Sequence, residues 1–144
     1  MRKPQTPLLA VDIIIEMQDR SGRPIVLIER KYPPYGWALP GGFVDVGERL
    51  ETAARREARE ETGLEVELKV LLGCYSDPQR DARGHTVSAV YIATAEGQPH
   101  ALDDARNLDC VLPSACPQLA FDHALIMTDY RTWLATGAPA PLRF

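Results

Sequence analysis

Residues 42–64, GFVDVGERLETAARREAREETGL, constrain this chain more than any other segment, because they place three carboxylates on the apolar face of one short helix. At about 100° per residue, Glu57, Glu60 and Glu61 fall within one narrow arc. Leu50, Ala53, Ala54, Ala58 and Leu64 lie in or beside that arc, whereas Glu51, Thr52, Arg55, Arg59 and Thr62 fall on the other side. A solvated helix normally carries its acids opposite the apolar stripe, where Lys or Arg partners reach them. Like charges three and four residues apart repel by roughly a few tenths of a kcal/mol per pair in water, and by more when partly buried. An all-carboxylate cluster of this kind calls for a positive counterpart, and a hard divalent cation suits it best. Pro40-Gly41-Gly42 predicts a turn feeding the helix, and Gly63 predicts a left-handed residue ending it.

The segment resembles the Nudix box, G-x5-E-x7-R-E-U-x-E-E-x-G-U with U aliphatic. Gly42, Glu48, Arg56, Glu57, Glu60, Glu61 and Gly63 fill its fixed positions, and Ala58 and Leu64 the aliphatic ones. Chance agreement at a given start is on the order of 10⁻⁸ at average residue frequencies. The resemblance implies an α/β/α sandwich in which a mixed, curved sheet lies between helices and loops form a substrate cleft. It also implies metal-binding roles for Glu57, Glu60, Glu61 and the backbone carbonyl of Gly41. A Gly-Gly turn suits the last role, because it lets main chain approach a metal without Cβ obstruction. For Arg56 and Glu48 it implies a salt bridge that holds the loop and the ligating carboxylates in place.

Composition is that of one domain. The 144 residues are 45% hydrophobic and 25% charged, enough for one good core and too few for two, so a single domain over 1–144 is expected, with a surface tail at 135–144. A net charge of −4 without a basic stripe argues against binding a nucleic-acid polymer. Cys74, Cys110 and Cys116 form no C-x-x-C pair and suggest neither a disulfide framework nor a zinc site. The apolar run after Arg2 and Lys3 is interrupted by Asp12 and closed by Glu16, unlike a signal peptide. No segment approaches membrane-spanning length, so a cytoplasmic location is expected.

Along the chain, the pattern predicts βββαβββα. Strands are expected at Leu8–Met17 and Pro24–Arg30 as a hairpin, at Trp37–Leu39, at Glu65–Tyr75, at Thr86–Ala95 and, more weakly, at Ala105–Val111. A second helix is expected over Asp122–Leu134, with Asp122 near its N-cap.

Diphosphates are kinetically inert because negative oxygens shield phosphorus, so a catalyst must neutralise charge and activate water. Mg²⁺ on the glutamates, with Mn²⁺ as a substitute, meets both needs. The water-activating base is expected to be Glu57 or Glu60; the resemblance also implies that an acid from a late loop can serve, and the loop at 97–104 offers Asp103 and Asp104, which otherwise read as solvated loop carboxylates. The loop at 76–85, SDPQRDARGH, offers Arg80, Arg83 and His85 to an anionic or ribose group, and Tyr32, Tyr35 and Trp37 offer flat surfaces to a base, with core packing the stronger reading for Trp37. Phe121-Asp122-His123 either touches the cleft or caps and packs the second helix. With KYPPYGWALPGGFVDVGE and LAFDHALI, the 76–85 loop resembles Nudix proteins of the ADP-ribose pyrophosphatase type, including Pro78 about fifteen residues beyond the box. Cys110-Val111 departs from that type, which usually carries an aromatic pair there. The resemblance therefore implies hydrolysis of a nucleoside diphosphate linked to another moiety, with ADP-ribose giving AMP and ribose 5-phosphate first. A pool-cleaning triphosphate pyrophosphatase and a non-catalytic ADP-ribose sensor are the alternatives. The partner expected is a small nucleotide, and a homodimer is compatible with the family.

Overall fold

The computed structural model describes residues 2–144. Its strands are β1 (Leu8–Met17), β2 (Ile25–Arg30), β3 (Trp37–Ala38), β4 (Gly41–Phe43), β5 (Glu67–Tyr75), β6 (Thr86–Ala95) and β7 (Ala105–Val111), with helices α1 (Leu50–Thr62) and α2 (His123–Thr136). A 3-10 turn at Pro113–Ala115 was not expected from the sequence.

The centre of the sheet is the parallel ladder of β1 and β6, in register from Leu8↔Thr86 to Met17↔Ala95. Alternation along these strands divides the core in two. Val11, Ile13, Ile15 and Met17 of β1 join Ala89, Tyr91 and Ala93 of β6 against Ala53, Ala54 and Ala58 of α1. Ile14 of β1 and Val90 and Ile92 of β6 face the other way, onto Ile126, Met127 and Tyr130 of α2. Both faces are covered, which explains why β1 reads as a near-continuous apolar run rather than an alternating one. The result is an α/β/α sandwich around a mixed sheet. Truncating any of the fully buried Ile13, Ile14 or Ile15 to Ala should cost about 2–5 kcal/mol.

The expected β1–β2 hairpin is shorter than the sequence implied, with one registered pair, Glu16↔Ile25. Beyond it the two strands part and the 37–43 segment enters the gap. β3 pairs with β2 through Ile28↔Ala38, and β4 pairs with β1 through Ala10↔Phe43 and Asp12↔Gly41. Pro40 lies between them and its carbonyl accepts the Ile13 N–H at 2.9 Å. The expected Pro-Gly-Gly turn is thus the crossing from one strand to the other, and Gly41–Phe43 is itself a strand. The outer edge of β2 is taken by β7.

Three further differences have local causes. Thr62, expected on the solvent side of α1, is fully buried, because its hydroxyl donates to Ala58 O and accepts from Leu64 N–H to close the helix end. Asp122 precedes α2 but makes no side-chain cap, since its carboxylate is engaged elsewhere. The C-terminal tail is anchored as well as exposed, with Ala140 N–H donating to Leu72 O and Arg143 gripping Asp129. Gly63 has φ 73°, as its position required. Among the described residues no helix is long and apolar enough to cross a membrane.

Candidate active site

A cavity of about 360 Å³ opens where β1 and β2 part, and its walls come from β1, β2, β4, α1, the 76–85 loop and the turn before α2. One wall is acidic. Glu57 and Glu61 stand one turn apart on the buried face of α1, and Ala53, Ala54 and Ala58 let the helix approach the sheet closely. Glu61 Oε2 accepts the Gly41 N–H at 3.2 Å. A Cβ at residue 42 would lie 2.5 Å from the Glu57 carboxylate, so only glycine leaves that acid its place. Burial pushes the Glu57 carboxyl above its usual range, and Arg56 only partly offsets this. Glu61 is pushed up to about 8, chiefly by burial, against the Gly41 hydrogen bond and with the charges of Glu57, Asp12 and Asp104 adding to the rise. Two desolvated, mutually repelling carboxylates fit a divalent cation as counterion.

Glu60 is displaced from this pair. The buried arc of α1 runs from Ala53 through Glu57 and Glu61 to Thr62, which leaves Glu60 exposed at its margin, where Arg56 Nη1 donates to it at 3.2 Å. Arg56 is the organiser here. Its Nε and Nη2 form a two-pronged ion pair with Glu48 at 2.8 and 2.9 Å, Nη1 donates to Glu57 at 2.8 Å, and Nη2 reaches the Phe43 carbonyl at 3.0 Å. The Arg56 guanidinium and the Asp45 N–H hold the Glu48 carboxyl down at about 2. As arranged, no three His, Cys, Asp or Glu side chains among the described residues form a ready cation cage.

The two aspartates of the 97–104 loop separate. Asp104 lines the cavity, whereas Asp103, with φ 51°, does not and presents its carbonyl to Lys31 Nζ at 2.6 Å.

Arginines and aromatic rings also line the cavity. Arg80 lines it, but is already spoken for: it is buried, doubly bonded to Asp122 at 2.9 and 2.7 Å, and donates to Thr86 at 3.0 Å. Arg83 pairs with Asp81 at 2.9 Å and lies over the rings of Phe43 and Phe121 at 5.7 and 5.3 Å. His85 is not brought in. It is exposed, its Nε2 is 3.0 Å from Ser76 O, and it borders a separate groove beside Leu8. Tyr35 is 69% exposed and outside the cavity, and Tyr32 lines it instead. Trp37 packs against the α2-side core.

Arg30 and Asp12 are among the lining residues that sequence reasoning did not single out. Arg30 donates from Nε to Pro34 O at 2.7 Å, and among the described residues its guanidinium makes no carboxylate ion pair. Asp12 is the acid read as a break in an apolar run. It is nearly buried, accepts from Ser88 at 2.5 Å and lies 3.6 Å from His123 Nε2. Burial alone would raise its carboxyl, but His123, Ser88 and Arg80 together outweigh that and hold it low. His123, read as touching the cleft or packing the second helix, does both: it lines the cavity, is 1% exposed, and its Nδ1 accepts the Leu39 N–H at 3.0 Å. That bond satisfies an amide in the gap between β3 and β4 and ties α2 to the Gly41 segment. An acid within a β-branched run was the available signal for Asp12, since such a residue is retained only where partners meet it.

Comparison with known proteins agrees with this geometry. The NUDIX domain model matches residues 6–129. An ADP-ribose pyrophosphatase of Methanocaldococcus jannaschii is 47% identical over 130 residues, covering 88% of this chain and 75% of that protein. The NUDIX domain of Shewanella oneidensis NrtR, solved with ADP ribose, superposes with a TM-score of 0.76 at 28% identity, covering 90% of each chain. A MutT/nudix family protein from Enterococcus faecalis gives 0.78 at 27% identity, covering 94% of this chain and 65% of that one. With the NUDIX domain model matched over most of its length and the box filled at every fixed position, the chain belongs to the Nudix hydrolase family.

Proposed function

We infer that this protein hydrolyses ADP-ribose to AMP and ribose 5-phosphate with Mg²⁺, for which Mn²⁺ substitutes. The observation carrying this reading is the cavity itself: a desolvated glutamate pair and guanidiniums beside aromatic rings, which together suit a diphosphate joined to a nucleoside. The identity to a protein named for this activity, and the likeness to a domain solved with ADP ribose, support the same substrate.

Glu57, Glu61 and the Gly41 carbonyl would hold the metal, joined by Glu60 when it leaves Arg56. When bound, the ion supplies charge neutralisation at the diphosphate and a lower pKa for the attacking water. The chain's own residues do the rest. Arg56, locked to Glu48, fixes the side chain of Glu57 and the start of α1, so that the acids are aimed before substrate arrives. Arg30 and Arg83 face the anionic oxygens, where a fork of N–H donors matches phosphate geometry. Tyr32, Phe43 and Phe121 supply flat apolar surface. One carboxylate takes the proton of water as its oxygen adds to one phosphorus, and the bridging oxygen leaves on the other phosphate. Glu57 and Glu60 are candidates for that base, and of the two loop acids only Asp104 lines the cavity.

The test is product analysis with Mg²⁺ over ADP-ribose, other nucleoside diphosphate sugars, dinucleoside polyphosphates and nucleoside triphosphates. Preferential release of AMP from ADP-ribose is expected. Pyrophosphate release from triphosphates alone would discard the substrate, and binding without turnover would mark a sensor.

A further inference from the structure

Phe121 occupies a backbone conformation that its side chain disfavours. Its φ is +54°, in the left-handed region that bulky residues rarely enter. The turn closes through His123 N–H donating to Ala120 O at 3.2 Å, which makes Phe121 its second residue, where a positive φ is ordinarily supplied by Gly or Asn. Three ties hold the turn in place: Ala120 N–H to Trp37 O at 2.8 Å, the Asp122 carboxylate on Arg80, and the His123 ring on Leu39 N–H. Strain sustained by several independent contacts at a cavity wall points to a role for the group it places there.

That group is an aromatic face shared by two cations. The guanidinium carbons of Arg30 and Arg83 lie over the Phe121 ring at 4.8 and 5.3 Å from its centroid. The two come from distant segments, β2 and the 76–85 loop, and they repel: burial, and then the charge of Arg83, holds the Arg30 guanidinium below its ordinary pKa. Asp81 holds Nε and Nη2 of Arg83, while the Arg30 side chain, among the described residues, donates only to a carbonyl. The negative face of an aromatic ring attracts both without neutralising either. The Arg30 guanidinium and Nη1 of Arg83, which Asp81 does not engage, therefore stay available to an anion.

We propose that Phe121 is a positioning residue for substrate recognition: its ring gathers Arg30 and Arg83 into one cradle for the diphosphate of the nucleotide. The proposal rests on the substrate reading above and adds to it the residue that makes two repelling arginines converge. The strained turn is what brings the ring under both of them, and an unstrained φ would aim it elsewhere.

The experiment compares Phe121→Leu, Phe121→Tyr and Phe121→Asn. It reads KM and kcat on ADP-ribose with Mg²⁺, the Kd for ADP-ribose in EDTA by calorimetry, and thermal melting. Phe121→Leu keeps an apolar side chain without the aromatic face, and should raise KM and the metal-free Kd about tenfold, within the range of a cation–π pair, with kcat held within about twofold. Phe121→Tyr should restore both to within about twofold of wild type. Phe121→Asn should bind as weakly as the Leu variant yet melt no lower, because Asn tolerates the positive φ. Unchanged Kd in Phe121→Leu, equal losses in Leu and Tyr, or a loss confined to kcat would overturn the proposal. Should wild type neither bind nor cleave ADP-ribose, the substrate reading falls. The same Leu-against-Tyr difference is then sought in binding of inorganic pyrophosphate, and its absence there overturns the cradle.

Discussion

Arg56 and Arg80 each hold a carboxylate through two hydrogen bonds, yet they belong to opposite kinds of site. Arg56 finds Glu48 eight residues away and Glu57 next door, so its cluster is written in one continuous segment. Arg80 finds Asp122 forty-two residues away, and its neighbours Thr86, Asp12 and His123 come from β6, β1 and α2. The helix and the short loop that leads into it bring the first together. Only the finished sheet, with β1 and β2 parted around the 37–43 segment, brings the second. The Arg56 cluster remains partly exposed and contacts Glu57 and Glu60 directly, whereas the Arg80 cluster is buried.

The sharpest way to break this contrast is to remove an acid that Arg56 serves. Glu61→Gln and Glu57→Gln should each retain the fold and lower kcat on ADP-ribose by about 10³-fold or more, as expected when a cation loses a ligand. Wild-type turnover in either would refute the metal assignment. Arg56→Met should cost about 10–100-fold in activity, with weakened Mn²⁺ binding, because the acids lose their outer support. Asp104→Asn should lower kcat at least about tenfold if the base lies on that loop, while Asp103→Asn stays near wild type. Equal effects would erase the difference in their orientations.

Arg80→Met should show the reverse profile. Breaking a buried pair leaves Asp122 uncompensated and costs about 3–5 kcal/mol in unfolding free energy by denaturant titration. Activity per folded molecule should change by less than about tenfold. A catalytic collapse without loss of stability would place Arg80 among the substrate-binding groups.

These effects also mark what was legible in the sequence. The box gave Glu48, Arg56, Glu57, Glu60 and Glu61 from spacing, and β-branched runs gave the long strands β1 and β6 at their observed bounds. Glu60 was expected among the buried acids because its helical angle is close to theirs, and only the tilt of α1 against the sheet decides where burial stops. Arg80, Arg83 and His85 looked alike as polar loop residues. Their partners separate them, and two of those, Asp122 and Thr86, were read for other purposes. Asp12 and Arg30 lie on strands whose interest seemed purely structural. The split of β1 from β2 gives both of them a cavity to face, and no local pattern announces it.

A last expected effect is one of pH. The Glu61 carboxyl, ordinarily near 4.5, is raised to about 8 in the folded protein, so between those values the folded state binds more protons than the unfolded one. Stability of the metal-free protein should therefore be greatest at the acidic end of that window and fall as pH rises through it. Melting in EDTA between about pH 5.5 and 8.5 should show a decline, and Glu61→Gln should flatten it. A rise with pH would contradict the burial of an uncompensated carboxyl there.

Central to the proposed function is a metal-dependent hydrolysis of ADP-ribose carried by the buried glutamates of α1. Its most direct test is the rate of AMP release from ADP-ribose as Mg²⁺ is titrated into metal-free protein, with Glu57→Gln run in parallel. Saturable activation of the wild type, together with little turnover in the variant at any Mg²⁺ concentration, is the predicted result. AMP release that is independent of Mg²⁺, or equal in the two proteins, would contradict it.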